Sequence, residues 1–156
     1  MNSTILSDVL VELIADGVAL RIGTRDAACI PESALGWGAH ANRDEGTILL
    51  YVPKVHAGVT FANLEANGQI ALTFSRVTDY RTFQVKGVAR SWRDARDDER
   101  GTLERYRDSF AAQLESDAHE AHALTTTFWP AFALEIEVRD VFLQTPGPGT
   151  GQRLGK

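Results

Sequence analysis

Gln69-Ile70-Ala71-Leu72-Thr73-Phe74-Ser75-Arg76 is the stretch whose reading decides the fold. Ile70, Leu72 and Phe74 alternate with Gln69, Ala71, Thr73 and Ser75. A period of two places large apolar side chains on one face and small or polar ones on the other, the pattern of a half-buried strand. The next run, Arg81 to Trp92, repeats it, with Phe83 and Val85 opposite Thr82, Gln84 and Lys86. Beyond Gly87 the alternation blurs, which predicts a bulge there.

Upstream, Val18, Leu20 and Ile22 alternate with Ala19, Arg21 and Gly23, and the polar residues Thr24, Arg25 and Asp26 read as a turn. Ser33 to Asn42 reads as a second strand, interrupted by Gly36 and Gly38, and Asn42 to Gly46 as a hairpin turn. Thr47 to Val52 is a third strand, with Ile48, Leu50 and Val52 on one face, closed by Pro53. Thr60 to Asn67 is a short helix that turns Phe61 and Leu64 inward and ends at Gly68. Ile5, Leu6, Val9, Leu10, Leu13 and Ile14 make one helical face over Ser3 to Asp16, with Asn2 or Ser3 as the cap and Gly17 as the stop.

Downstream, Asp97 to Ser116 is a polar helix with one apolar stripe: Leu103, Tyr106, Phe110, Ala111 and Leu114. Phe132, Leu134, Ile136 and Val138 mark a last strand. Residues 145–156, rich in Gly and Pro, read as an extended or mobile tail. Six strands joined by short turns, with no regular strand–helix alternation, favour an antiparallel barrel with peripheral helices over a doubly wound sheet. The class is mainly β (α+β), in a single domain over residues 1–156, with no internal repeat and no linker.

The 156 residues carry a formal net charge of −5. An acidic chain is not expected to bind nucleic acid, which needs clustered Lys and Arg; a local basic pocket for one anion remains compatible with it. The lone Cys29 permits no internal disulfide and fits a reducing compartment. No apolar run approaches the roughly 18 residues of a membrane span. The start MNSTILSDVL lacks the basic flank and cleavage site of a signal peptide, so the expected location is cytoplasmic, away from membranes.

Several residue groups carry possible chemistry. His119 and His122, in HEAH, stand on one helical face at metal-bridging spacing, but no third ligand completes the set, so no metal is expected. Cys29 has only Arg25 nearby to favour its thiolate and reads as a spectator. The tail glycines lack the strand–turn–helix setting of a phosphate loop.

The stretch Tyr51 to Thr60 runs from a strand end into a helix start, where free N–H groups attract an anion and Lys54, His56 and Thr60 add donors. Ordinary capping by Thr60 beside a surface Lys54 explains the same residues. The outward row Thr82, Gln84 and Lys86 suits a flat heterocycle such as an isoalloxazine, or simply water.

The order ILLYVPK (48–54), LEANGQIALTF (64–74) and RTFQVKGVAR (81–90), followed by FWPAF (128–132), VFLQTPGP (141–148) and QRL (152–154), resembles the pyridoxamine 5′-phosphate oxidase family over Val18 to Leu154. The resemblance implies a six-stranded split β-barrel, a homodimer, and flavin mononucleotide (FMN) held between subunits. Carried over by position, Tyr51, Val52, Lys54 and Thr60 lie near the FMN phosphate, Thr82 near its ring, and Arg153 at a carboxyl-terminal flavin contact; Gln84 joins Thr82 on the outward row.

The family's strand of basic residues reads ESALGWGAHAN here (32–42), with only His40, and its Arg-Lys pair at the helix start is Val59-Thr60. The expectation is therefore an FMN-dependent oxidoreductase acting on a small molecule other than a form of vitamin B6, the substrate of the oxidase. The alternatives are a non-catalytic module for flavin, haem or another cofactor, or a deazaflavin protein using Arg76, Arg81, Lys86 and Arg90.

Overall fold

The computed structural model describes residues 5–114 and 127–155. Its strands are β1 (Ala19–Arg25), β2 (Pro31–Leu35), β3 (Ala39–Asn42), β4 (Thr47–Pro53), β5 (Gln69–Ser75), β6 (Thr82–Asp94), β7 (Ala131–Leu143) and β8 (Arg153–Leu154). The helices are α1 (Asp8–Ala15), α2 (Gly58–Asn67) and α3 (Arg100–Gln113), with single 3₁₀ turns at Lys54–His56 and Asp97–Glu99.

All strand pairs are antiparallel, in the order β2-β1-β5-β6-β7-β4-β3, with β8 paired to β7. The two ends of this order, β2 and β3, are consecutive in the chain. Between them Gly36 N–H donates to Leu20 O at 3.1 Å on β1, and Trp37 N–H donates to Tyr51 O at 3.1 Å on β4. The expected strand Ser33–Asn42 is thus one kinked stave that pairs β1 with its first half and β4 with its second, closing the sheet. Six staves hold, although eight strands are counted. Gly36 permits the kink because a Cβ there would lie 2.7 Å from Leu20 Cδ2.

Alternation puts Leu20, Ile22, Ile48, Leu50, Ile70, Leu72, Phe74, Val85, Leu134 and Ile136 inside the barrel, all buried. Each such side chain contributes about 1.5–3 kcal/mol on leaving water. Leu10, Leu13 and Ile14 of α1 pack into the same core. This helix starts later than expected: Ser7, not Asn2 or Ser3, is its cap, accepting the Leu10 N–H at 3.3 Å.

A second apolar cluster lies between α3 and the barrel wall, where Leu103 packs with Trp37, Tyr51, Phe128, Ala131 and Ala133. The register of β6 on β7 shifts at Lys86/Gly87 and again at Ala89/Ser91, so the expected bulge is present.

The tail is a folded hairpin where an extended or mobile segment was expected. Leu143 N–H donates to Gln152 O and Gly151 N–H to Leu143 O, at 2.9 and 2.7 Å, while Thr145 Oγ1 accepts from Thr82 N–H at 3.0 Å. Gly and Pro serve tight turns here, and the backbone bonds to β7 hold the segment. No helix among the described residues is long and apolar enough to cross a membrane.

Candidate functional site

The outward faces of β1, β5, β6 and β7 enclose an open cavity of about 570 Å³. Its floor is small: Gly23 of β1 lies beside Ala71 of β5, and Ala71 pairs with Lys86 of β6. Long polar side chains rise around it, namely Arg25, Gln69, Gln84, Lys86, Arg139 and Asp140. The period of two produces this arrangement, because the residues between them (Ile22, Ile70, Leu72, Val85) are spent on the core.

The charges around the cavity are unevenly engaged. Glu137 holds Arg139 at 2.8 Å and also Arg90. Asp140 is paired with Arg153 of the tail. That leaves Arg25 and Lys86 with no carboxylate partner among the described residues. Arg25 donates to Gln69 Oε1 at 3.1 Å and to Asp26 O at 3.0 Å, which fixes its guanidinium. Lys86 Nζ lies 5.4 Å from the Phe142 ring centroid. Two cations without ion pairs, beside two side-chain amides and a flat small-residue floor, suit a planar ligand with an anionic group.

The stretch expected to hold a phosphate is arranged differently. The Tyr51 side chain is buried, and its hydroxyl donates to Glu99 Oε1 at 3.0 Å. Burial, and then this bond, push the hydroxyl up to about 12. Val52 is fully buried in the barrel core. Lys54 Nζ pairs with Asp94 at 2.7 Å and sits 4.8 Å over the Phe132 ring.

Thr60, fully buried, donates to Glu32 Oε2 at 3.1 Å, and Thr24 donates to the same atom at 2.9 Å. Asn63 Nδ2 donates to Thr24 Oγ1 at 3.0 Å, which completes the cluster. A carboxylate of the chain itself therefore holds the Thr60 hydroxyl, and that negative charge opposes a phosphate at the same place.

Of the remaining expected residues, Gln84 lines the cavity. Thr82 shares the outward face, but its hydroxyl bonds Ser75 Oγ at 2.7 Å and Tyr80 O at 2.9 Å. Arg153 reaches the rim through Asp140. Of the four basic residues considered for a deazaflavin, Arg76 is taken by Asp16 and Asp79, Arg90 by Glu137, and Arg81 lines a separate groove beside Leu143, so Lys86 alone lines the cavity. His119 and His122 lie outside the described residues; among those described, no cluster of potential metal ligands occurs.

Arg25 and Gln69 also line the cavity and were not among the expected residues. Arg25 reads as a turn residue, yet extending the alternation Arg21, Gly23, Arg25 by one step places it outward on β1.

No protein-family model matches the chain, and no curated protein matches it. Solved structures do. One is a Lactobacillus delbrueckii protein assigned as a pyridoxamine 5′-phosphate oxidase, at 15% identity over 91% of this chain and 97% of that one, TM-score 0.58. HupZ of Group A Streptococcus aligns at 17% identity over 93% and 98%, TM-score 0.57. An F420 reductase aligns at 10% identity over 83% and 93%, TM-score 0.54. At these identities the likeness is one of fold: the chain has the split barrel of the pyridoxamine 5′-phosphate oxidase-like proteins.

Proposed function

We propose that this split barrel binds a flavin-type cofactor, FMN in the first instance, on the outer face of β1, β5 and β6, and serves as an oxidoreductase for a small molecule. The observation that carries this reading is the pair of cations with no ion pair among the described residues, Arg25 and Lys86, at the edge of the small-residue floor with Gln69 and Gln84. The amides offer hydrogen bonds to a heterocycle edge, and the cations offer charge to the phosphate. A bound flavin would supply the redox chemistry, while the protein's part is to position it and to set its electrostatics.

The cavity is open to solvent, so a second copy of the chain covering it would exclude water, and a homodimer is part of the reading. The likeness to an F420 reductase keeps a deazaflavin as the second reading, for whose acidic tail Arg25 and Lys86 are the cations with no carboxylate partner among the described residues.

The test is equilibrium titration of the purified protein with FMN and with F420, with the mass in solution measured alongside. Saturable FMN binding that Lys86→Ala weakens, in a particle of twice the chain mass, is the expected result. If neither cofactor binds, the reading is overturned. Electron transfer from a reduced nicotinamide to the loaded protein, faster than to free flavin, separates an oxidoreductase from a non-catalytic carrier.

A further inference from the structure

Lys86 on β6 and Asp140 on β7 stand directly opposite each other in the antiparallel register. Opposite charges at such a cross-strand position ordinarily pair. Here they do not: Lys86 Nζ sits over the Phe142 ring, and the Asp140 carboxylate is engaged by Arg153. Arg153 begins β8, which is held on β7 by the pairs Val141↔Leu154 and Phe142↔Arg153. The hairpin that delivers it is tied to β6 by Thr145, through the Thr82 N–H.

We propose that Arg153 is a positioning residue that acts through Asp140: by taking up that carboxylate, it keeps Lys86 available to an anionic ligand group. This rests on the cavity being the cofactor site. It differs from a direct flavin contact, the role the family resemblance implies for this arginine. Each carboxylate on the β7 side of the cavity is then claimed by an arginine, Glu137 by Arg90 and Arg139 and Asp140 by Arg153. Without Arg153, Asp140 would turn to Lys86 and present a negative charge to an incoming phosphate.

The experiment is a double-mutant cycle on the full chain, read by the dissociation constants of FMN and of riboflavin, which lacks the phosphate. Arg153→Ala should weaken FMN roughly two- to fivefold, the range of an exposed charge pair, and leave riboflavin unchanged. Asp140→Asn in the Arg153→Ala background should restore FMN affinity, because the competing charge is gone. Arg153→Lys should retain most of it.

Far-ultraviolet circular dichroism identifies any variant that has lost the hairpin or the fold; for such a variant, the Arg153→Lys and Asp140→Asn single variants carry the comparison. Asp140→Asn alone should bind FMN at least as tightly as the parent. If the double variant stays as weak as Arg153→Ala, or if riboflavin weakens equally, Arg153 acts directly or structurally and the proposal is overturned. If the parent chain binds no FMN, or binds it as tightly after Lys86→Ala, the cofactor reading itself fails and this one falls with it.

Discussion

Tyr51 and Glu99, 48 positions apart in the chain, meet at 3.0 Å between the phenol hydroxyl and the carboxylate, and the contact ties the turn before α3 to the barrel wall. The same carboxylate accepts from Arg93 at 2.7 and 2.8 Å and from the Arg96 N–H at 2.7 Å. Every lone pair is used, so removing the group leaves several donors unsatisfied together. Glu99→Ala should lower stability by about 2–4 kcal/mol, a fall of about 2–4 °C in Tm per kcal/mol for a chain this size, read by thermal denaturation. Tyr51→Phe removes one bond, and its loss should stay near 1 kcal/mol.

The same site sets an acid limit. The Arg93 guanidinium, the Arg96 N–H and the Tyr51 hydroxyl hold Glu99 down to about 2, from an ordinary value of 4.5. The unfolded chain thus binds the proton more tightly, and stability rises with pH across that window. The contribution is complete above about pH 4.5, is lost progressively as pH falls, and is gone below about pH 2. Urea midpoints measured between pH 5 and 2 should fall more steeply for the parent than for Glu99→Gln. Parallel profiles would contradict this.

Gly87 admits no side chain. A Cβ there would lie 2.4 Å from Glu137 O and 2.9 Å from Ile136 Cγ2, so the β6–β7 pairing would have to part. Gly87→Ala should cost about 1–3 kcal/mol and deform the cavity rim between Lys86 and Val88. Chemical denaturation measures the first effect, and FMN affinity the second.

Lys54 and Lys86 offer a contrast. Lys54 is occupied by Asp94, and Lys86 has no carboxylate partner among the described residues. Lys54→Ala should leave FMN affinity within about twofold and stability within about 1 kcal/mol. Lys86→Ala should weaken FMN roughly tenfold or more, the worth of a charge-assisted bond. The reverse ranking in a titration would return the phosphate to the start of α2.

The barrel was legible because its signal is local. Ile70, Leu72 and Phe74 announce a strand within seven residues, and the outward row Thr82, Gln84, Lys86 follows from the same period. The kinked stave was visible as one strand broken by Gly36 and Gly38, but its dual pairing depends on β1 and β4 meeting in space. The engagement of the expected phosphate stretch was not legible because its partners are remote. Glu32 reaches Thr60 across 28 positions, and Asp94 reaches Lys54 across strands, so nothing in the sequence between Tyr51 and Thr60 reveals that its donors are already engaged. The tail hairpin was hidden for a related reason: Gly and Pro mark both loose linkers and tight turns, and only the backbone bonds to Leu143 tell them apart.

A ring whose first and last members are halves of one continuous segment has its clasp at Gly36-Trp37-Gly38. Cleavage of one peptide there would leave β2 paired to β1 and β3 paired to β4, but would remove the covalent link between the two ends of the strand order. This tripeptide is therefore the place where a single cut breaks the continuity of the ring, whereas a cut in the Asn42–Gly46 turn would leave the clasp fastened.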